Sequence, residues 1–172
     1  MKKIIYFIEF LLVEFLFIVC KVIGYKSASN LGYFIGKNFG NFFRKKKSII
    51  ENLHKSKIVI NISNNQFVNN ILGNYGRILA EYPFLKDFRK NKLEQFITID
   101  GIENLDKIKS NKKPVVFISG HFNNFELMAM QIEKHGINLA AIYRPLNNIF
   151  LNKTMERIRT KYICRNQIRK GR

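Results

Sequence analysis

The stretch Pro114–Met130, PVVFISGHFNNFELMAM, decides how this chain is read. Val115, Val116, Phe117 and Ile118 make an apolar run bounded by Pro114 and Gly120, the pattern of a short buried strand. Leu127, Met128, Met130 and Ile132 follow the Asn123-Asn124 pair and read as the opening of a helix. His121 and Glu126 then fall on a strand-to-helix turn, at the carboxyl end of a strand, a common place for chemistry in α/β folds. Gly120 gives the turn freedom to bend, and Asn123 or Asn124 is a candidate N-cap. With His121 on the turn and Glu126 in the first helical turn, the two side chains can meet. A carboxylate on one imidazole nitrogen fixes the tautomer and raises basicity at the other, which suits proton abstraction from a hydroxyl.

Strand and helix alternate on either side. Phe96–Asp100 reads as a strand, Gly101 as a turn, Ile102–Ile108 as a helix and Ser110–Lys113 as a polar loop. His135-Gly136 marks the end of the central helix, and Ile137–Tyr143 reads as another strand. Arg144-Pro145 breaks it, and Ile149–Lys161 resumes a helical pattern rich in arginine. The alternation predicts an α/β layer with at least partly parallel strands. Further upstream, Ser63 and Gln66 form a capping-box pattern ahead of an apolar face built from Phe67, Val68, Ile71, Leu72, Tyr75, Ile78 and Leu79. Pro83 stops that helix, with Glu81 and Tyr82 at its core-packed end. Gly32, Gly36 and Gly40, spaced by four, permit close helix packing.

Ile4–Ile23 spans 20 residues, about 30 Å as a helix, which matches a bilayer core. Glu9 and Glu14 interrupt it about 140° apart, so one polar stripe does not hide both. The segment reads as a retained anchor, tilted or shallow. As a signal peptide it is too long and interrupted, and Val19 is the wrong neighbour for a lipoprotein Cys20. Lys21, Lys26, Lys37 and the run Arg44–Lys47 outnumber Lys2 and Lys3, which places the bulk of the chain on the cytoplasmic side. The division expected is an anchor over 1–24, a helical region over 25–95 and an α/β catalytic core over 96–172.

The 172 residues suffice for a real core, and 47% hydrophobic with 13% aromatic content excludes a disordered chain. A formal net charge of +18 calls for an anionic partner: membrane surface, acidic protein, phosphorylated substrate or nucleic acid. Nucleic acid is disfavoured, since no helix-turn-helix, finger or RNA-binding signature is present. Cys20 and Cys164 lack any CxxC spacing and suggest neither a disulfide framework nor a metal site. No HExxH occurs and His54 and His135 are remote in sequence, so no metal is expected. The chain has no GxSxG elbow either, so a covalent serine route is unsupported.

GHFNNFEL, Gly120–Leu127, resembles the His-x4-acid block of the lipid A biosynthesis acyltransferases, the bacterial late acyltransferases that act on Kdo2-lipid IVA. AIYRPLNN, Ala141–Asn148, resembles their Tyr-Arg-Pro stretch, and Arg159 falls at the arginine of the following helix. Asn123-Asn124-Phe125 departs from the family's Gly and Trp flavour. The resemblance implies an acyltransferase-type mixed sheet flanked by helices, preceded by a membrane-anchoring helix and a helical region. It implies catalytic roles for His121, Glu126 and Arg159 and substrate binding by Arg144, Asn123 and Asn124. The implied reaction is O-acyl transfer from an acyl carrier protein thioester, with no other cofactor, to a hydroxyacyl chain of a phosphorylated lipid A precursor at the bacterial inner membrane. Lys161–Arg172 resembles the lead-in to a further strand-helix portion, so a C-terminally truncated member is expected. Alternatives are an inactive membrane-bound fragment, or transfer to another glycolipid or a lysophospholipid.

Overall fold

The computed structural model describes residues 2–42 and 46–171, so Arg44 and Lys45 of the basic run lie outside the described residues. The chain is mostly helical with one small parallel sheet. It opens with α1, Lys2–Ile23, and continues through α2, Tyr25–Phe39, α3, Lys46–Ser56, and α4, Asn64–Glu81. There follow α5, Leu85–Arg89, α6, Ile102–Asn111, α7, Glu126–Lys134, β1, Ala140–Tyr143, α8, Ile149–Ile158, a π-turn over Arg159–Ile163, and β2, Asn166–Arg169. Two compact units form, one of Leu16–Pro83 and one combining the first fifteen residues with Phe84 onward.

The Leu16–Pro83 unit is helix on helix. Ser63 caps α4 as its sequence implies, accepting from the Gln66 N–H at 3.2 Å. Pro83 sits in the 3-10 turn that ends it. Val68, Leu72 and Ala80 are buried along α4, and Val68 and Leu72 form one cluster with Ile49 of α3. Tyr75, expected on the apolar face, is 44% exposed, because α2 packs on the neighbouring glycine stripe instead. A Cβ on Gly32 would stand 2.5 Å from the Gly76 carbonyl oxygen, so backbone lies against backbone. The buried Glu81 carboxylate accepts from Ser29 Oγ at 2.7 Å and from the Tyr25 hydroxyl at 3.4 Å. Burial and then the Glu81 charge push the Tyr25 phenol up to about 12.

In the other unit α7 is held at both ends. Its first residue, Glu126, meets Arg159, and Glu133 near its end takes an ion pair from Arg89 at 2.9 Å and a hydrogen bond from the Arg165 backbone N–H at 2.8 Å. His135 pairs with Asp106 of α6 at 2.8 Å. β1 and β2 run parallel in the register Ala140↔Asn166 to Tyr143↔Arg169.

Three expectations are corrected. Val115–Ile118 is not a buried strand: Val116 is 84% and Ile118 93% exposed, and the segment joins no ladder. Phe96–Asp100 is not a strand either, but the end of a 3-10 turn followed by irregular backbone. A strand needs hydrogen-bonding neighbours, and among the described residues only β1 and β2 supply them to each other. The mixed sheet is therefore reduced to one parallel pair, whose second member, Asn166–Arg169, the sequence pattern did not single out. Third, no helix among the described residues is long and apolar enough to cross a membrane. Glu9, Glu14 and either Lys3 or Lys21 fall in every 18-residue window of α1.

Gly76→Ala should destabilise the Leu16–Pro83 unit. Alanine gains about 1 kcal/mol of helix propensity over glycine, but a methyl driven into the Gly32 backbone costs about 1–3 kcal/mol. A thermal melt reads the sign, and a raised midpoint would contradict the close packing.

Candidate active site

The turn before α7 is tightly wound. Asn123 takes a left-handed φ of 44°, the Phe125 N–H bonds back to the Asn123 carbonyl at 3.0 Å, and the Leu127 N–H to the Asn124 carbonyl at 3.1 Å. No side chain caps α7; the expected role of Asn123 or Asn124 is filled by backbone carbonyl oxygens. Glu126 is the first helical residue, so its carboxylate lies at the positive end of the helix dipole.

The buried Glu126 side chain, 7% exposed, accepts from Arg159 Nε at 2.8 Å and pairs with Nη2 at 2.7 Å, both on Oε1. Arg159 begins the π-turn after α8, and this widened turn directs its guanidinium back toward α7. His121 is exposed, and its ring meets the Phe125 ring edge-on with centroids 4.5 Å apart. The structure therefore joins Glu126 to Arg159, while His121 rests on Phe125 and makes no hydrogen bond to the carboxylate.

His121, Glu126, Arg144 and Arg159 nevertheless line one cavity of about 420 Å³, with Met128 in its wall. Asn123 and Asn124 are not among its lining residues. A more apolar cavity of about 510 Å³, walled by Phe96, Ile99, Leu105 and Phe117, contains none of the four. The charged side chains thus single out the first. Beside it, an apolar groove of about 690 Å³ runs between Pro114–Phe117 and β1 and shares Met128, Ala129, Ala141 and Ile142 with the charged cavity. Among the described residues no cluster of His, Cys, Asp and Glu is arranged to hold a metal ion.

Tyr143 also lines the charged cavity, and its hydroxyl donates to Glu156 on α8. That bond raises the Tyr143 phenol above its ordinary value and lowers the Glu156 carboxyl below its own. From the Tyr143-Arg144-Pro145 stretch the sequence offered Arg144 as the site residue and not Tyr143, and nothing in the spacing marked Glu156 as an acceptor. Cys164 is buried, its thiol donating to the Leu139 carbonyl at 2.9 Å, and burial raises its pKa.

A histidine, a buried carboxylate and two guanidinium groups around one cavity, beside an apolar groove, suit acyl transfer with a general base and anion stabilisation. The bacterial lipid A biosynthesis acyltransferase family model matches residues 1–166, and the chain belongs to that family of acyltransferases. No curated protein and no solved structure matches it significantly.

Two outcomes follow from the charge pairs. Arg159→Ala leaves a buried carboxylate without its cation and should destabilise by about 3–5 kcal/mol, whereas Arg159→Ala combined with Glu126→Gln should recover much of that loss in a denaturant titration. In a tyrosine-labelled NMR titration, Tyr143 should ionise above the usual phenol range and move back down in Glu156→Gln. The Tyr143–Glu156 bond contributes below the ordinary phenol pKa and is lost as pH rises through the raised one. On the acid side it persists until pH falls through the lowered Glu156 pKa, below the usual carboxylate range.

Proposed function

We propose that the chain transfers a fatty acyl group from an acyl carrier protein thioester to the hydroxyl of a 3-hydroxyacyl chain on a lipid A precursor. The observation that carries the reading is the single cavity that gathers His121, Glu126, Arg144 and Arg159. A His121 ring nitrogen takes the hydroxyl proton as the oxygen attacks the thioester carbonyl carbon. The carbonyl oxygen gains negative charge and faces the Arg159 guanidinium. The C–S bond then breaks, the ester carbonyl re-forms, and the proton passes from His121 to the departing sulfur, giving ester and free thiol.

Glu126 acts on the His121 side of the cavity without a direct bond to the ring, and Arg159 holds that carboxylate in place. Arg144 is exposed at the cavity rim and suits an acceptor phosphate. Asn123 and Asn124 hold the turn through their backbone carbonyls, so their part in substrate binding is indirect. No cofactor beyond the carrier thioester enters this scheme. A formal charge of +18 complements both an acidic carrier protein and a phosphorylated glycolipid. The outer side of α1 exposes Ile4, Ile8, Leu11, Leu12 and Phe15, which suits contact with the cytoplasmic face of the bacterial inner membrane.

The test is an assay of membranes containing this chain with labelled acyl carrier protein and lipid A precursor. His121→Ala should lower transfer about 10²–10⁴-fold, the usual worth of a general base. Near-normal transfer in that variant would refute the assignment. Glu126→Gln is the sounder partner variant, because it keeps a carbonyl oxygen to accept from the Arg159 Nε–H, an acceptor that Glu126→Ala removes.

A further inference from the structure

The two acidic residues that interrupt the apolar α1 have partners on α8. Asn148 Nδ2 donates to Glu9 Oε2 at 2.9 Å and to the Tyr6 carbonyl at 2.8 Å. The Oδ1 of the same residue caps α8, accepting from the Phe150 N–H at 3.0 Å and the Leu151 N–H at 3.2 Å. Further along, Thr154 Oγ1 donates to Glu14 Oε1 at 3.0 Å. Between these two bolts the Phe150 ring lies edge-on to Phe7, with centroids 5.5 Å apart, and 6.1 Å from that of Phe10. Glu9 with Asn148 and Glu14 with Thr154 advance together, so the first part of α1 and α8 run side by side in the same direction.

Asn148 and Thr154 are buried, at 7% and 8% exposure, so their polar atoms need these acceptors. The residues after Thr154 are the ones that serve the cavity. Glu156 receives the Tyr143 hydroxyl, and Arg159 reaches Glu126. Because α8 leads directly into the π-turn that begins at Arg159, a slide or roll of α8 on α1 carries that guanidinium with it.

We propose that Glu9 and Glu14 are positioning residues: by gripping Asn148 and Thr154 they set the axial position and roll of α8, and through it the seat of Arg159 on Glu126. The inference rests on the acyl-transfer reading for its effect on rate, but not for its geometry. Positional errors of about 1 Å in a reacting constellation are worth up to about 100-fold in rate. Substrate binding need not suffer, because neither carboxylate lines the cavity.

The experiment uses the full chain in detergent micelles with Glu14→Ala, Thr154→Val and Glu9→Ala, set against Glu14→Gln, Thr154→Ser and Glu9→Gln, which keep a hydrogen-bonding oxygen. Three readouts are taken: kcat and KM for the acyl carrier thioester, solvent exchange of the Arg159 Nε–H resonance in arginine-labelled protein, and a thermal melt. The expected result is a fall in kcat of about tenfold or more with KM within about twofold, and faster Nε–H exchange, in the first set. The second set should restore both. Unchanged kcat and unchanged exchange in the first set overturn the proposal, as does a loss that merely tracks the unfolded fraction. If the unaltered chain shows no transfer, the acyl-transfer reading fails. The Arg159 resonance in the same six variants then still decides the positioning role, protection that is unchanged across the first set overturning it.

Discussion

One buried ion pair joins the parts of the candidate site. Glu126 at the start of α7 and Arg159 at the start of the π-turn lie 33 residues apart and meet through two short contacts on a single carboxylate oxygen. Such a pair does not stabilise a fold strongly, because both ions are taken out of water; it specifies geometry instead, since each partner is costly alone. Here it fixes α7 relative to the end of α8. The turn carrying His121 leads straight into that α7 terminus, so the pair also fixes one end of the exposed base. Glu133, gripped by Arg89 and the Arg165 backbone, secures the other end of the same short helix.

The cavity combines two kinds of wall, and the contrast bears on its chemistry. Guanidinium groups and a carboxylate lie on one side, while Met128, Ala129, Ala141 and Ile142 continue into the apolar groove beside β1. An acyl thioester has the same division, a polar reacting carbonyl on a long apolar tail. His121 sits at the exposed lip of the cavity.

What the sequence made legible was local. The Ser63 cap, the Pro83 stop and the close approach at Gly32 each depend on a few neighbouring residues, and each formed as read. The strands were less legible, because a run of apolar residues reports a wish to be buried, not the presence of a ladder partner. Val115–Ile118 has the run without the partner, and Asn166–Arg169 has a partner without the run. Resemblance to a family, rather than periodicity, brought Arg159 into the site. The meaning of Glu9 and Glu14 was out of reach, since their partners lie 139 and 140 residues away. Seen from α1 alone they are defects in an apolar helix; seen from α8 they are its acceptors.

The placement of the two cysteines has an experimental consequence. Cys20 belongs to the Leu16–Pro83 unit and Cys164 to the other, and both are buried with thiols made less acidic by that burial. A thiol reagent reaches either sulfur only when the surrounding unit opens, so the rate of labelling at each position is a clock for that unit's opening. With two thiols in separate peptides, mass spectrometry of one labelled sample times both openings at once, and neither unit needs an engineered probe.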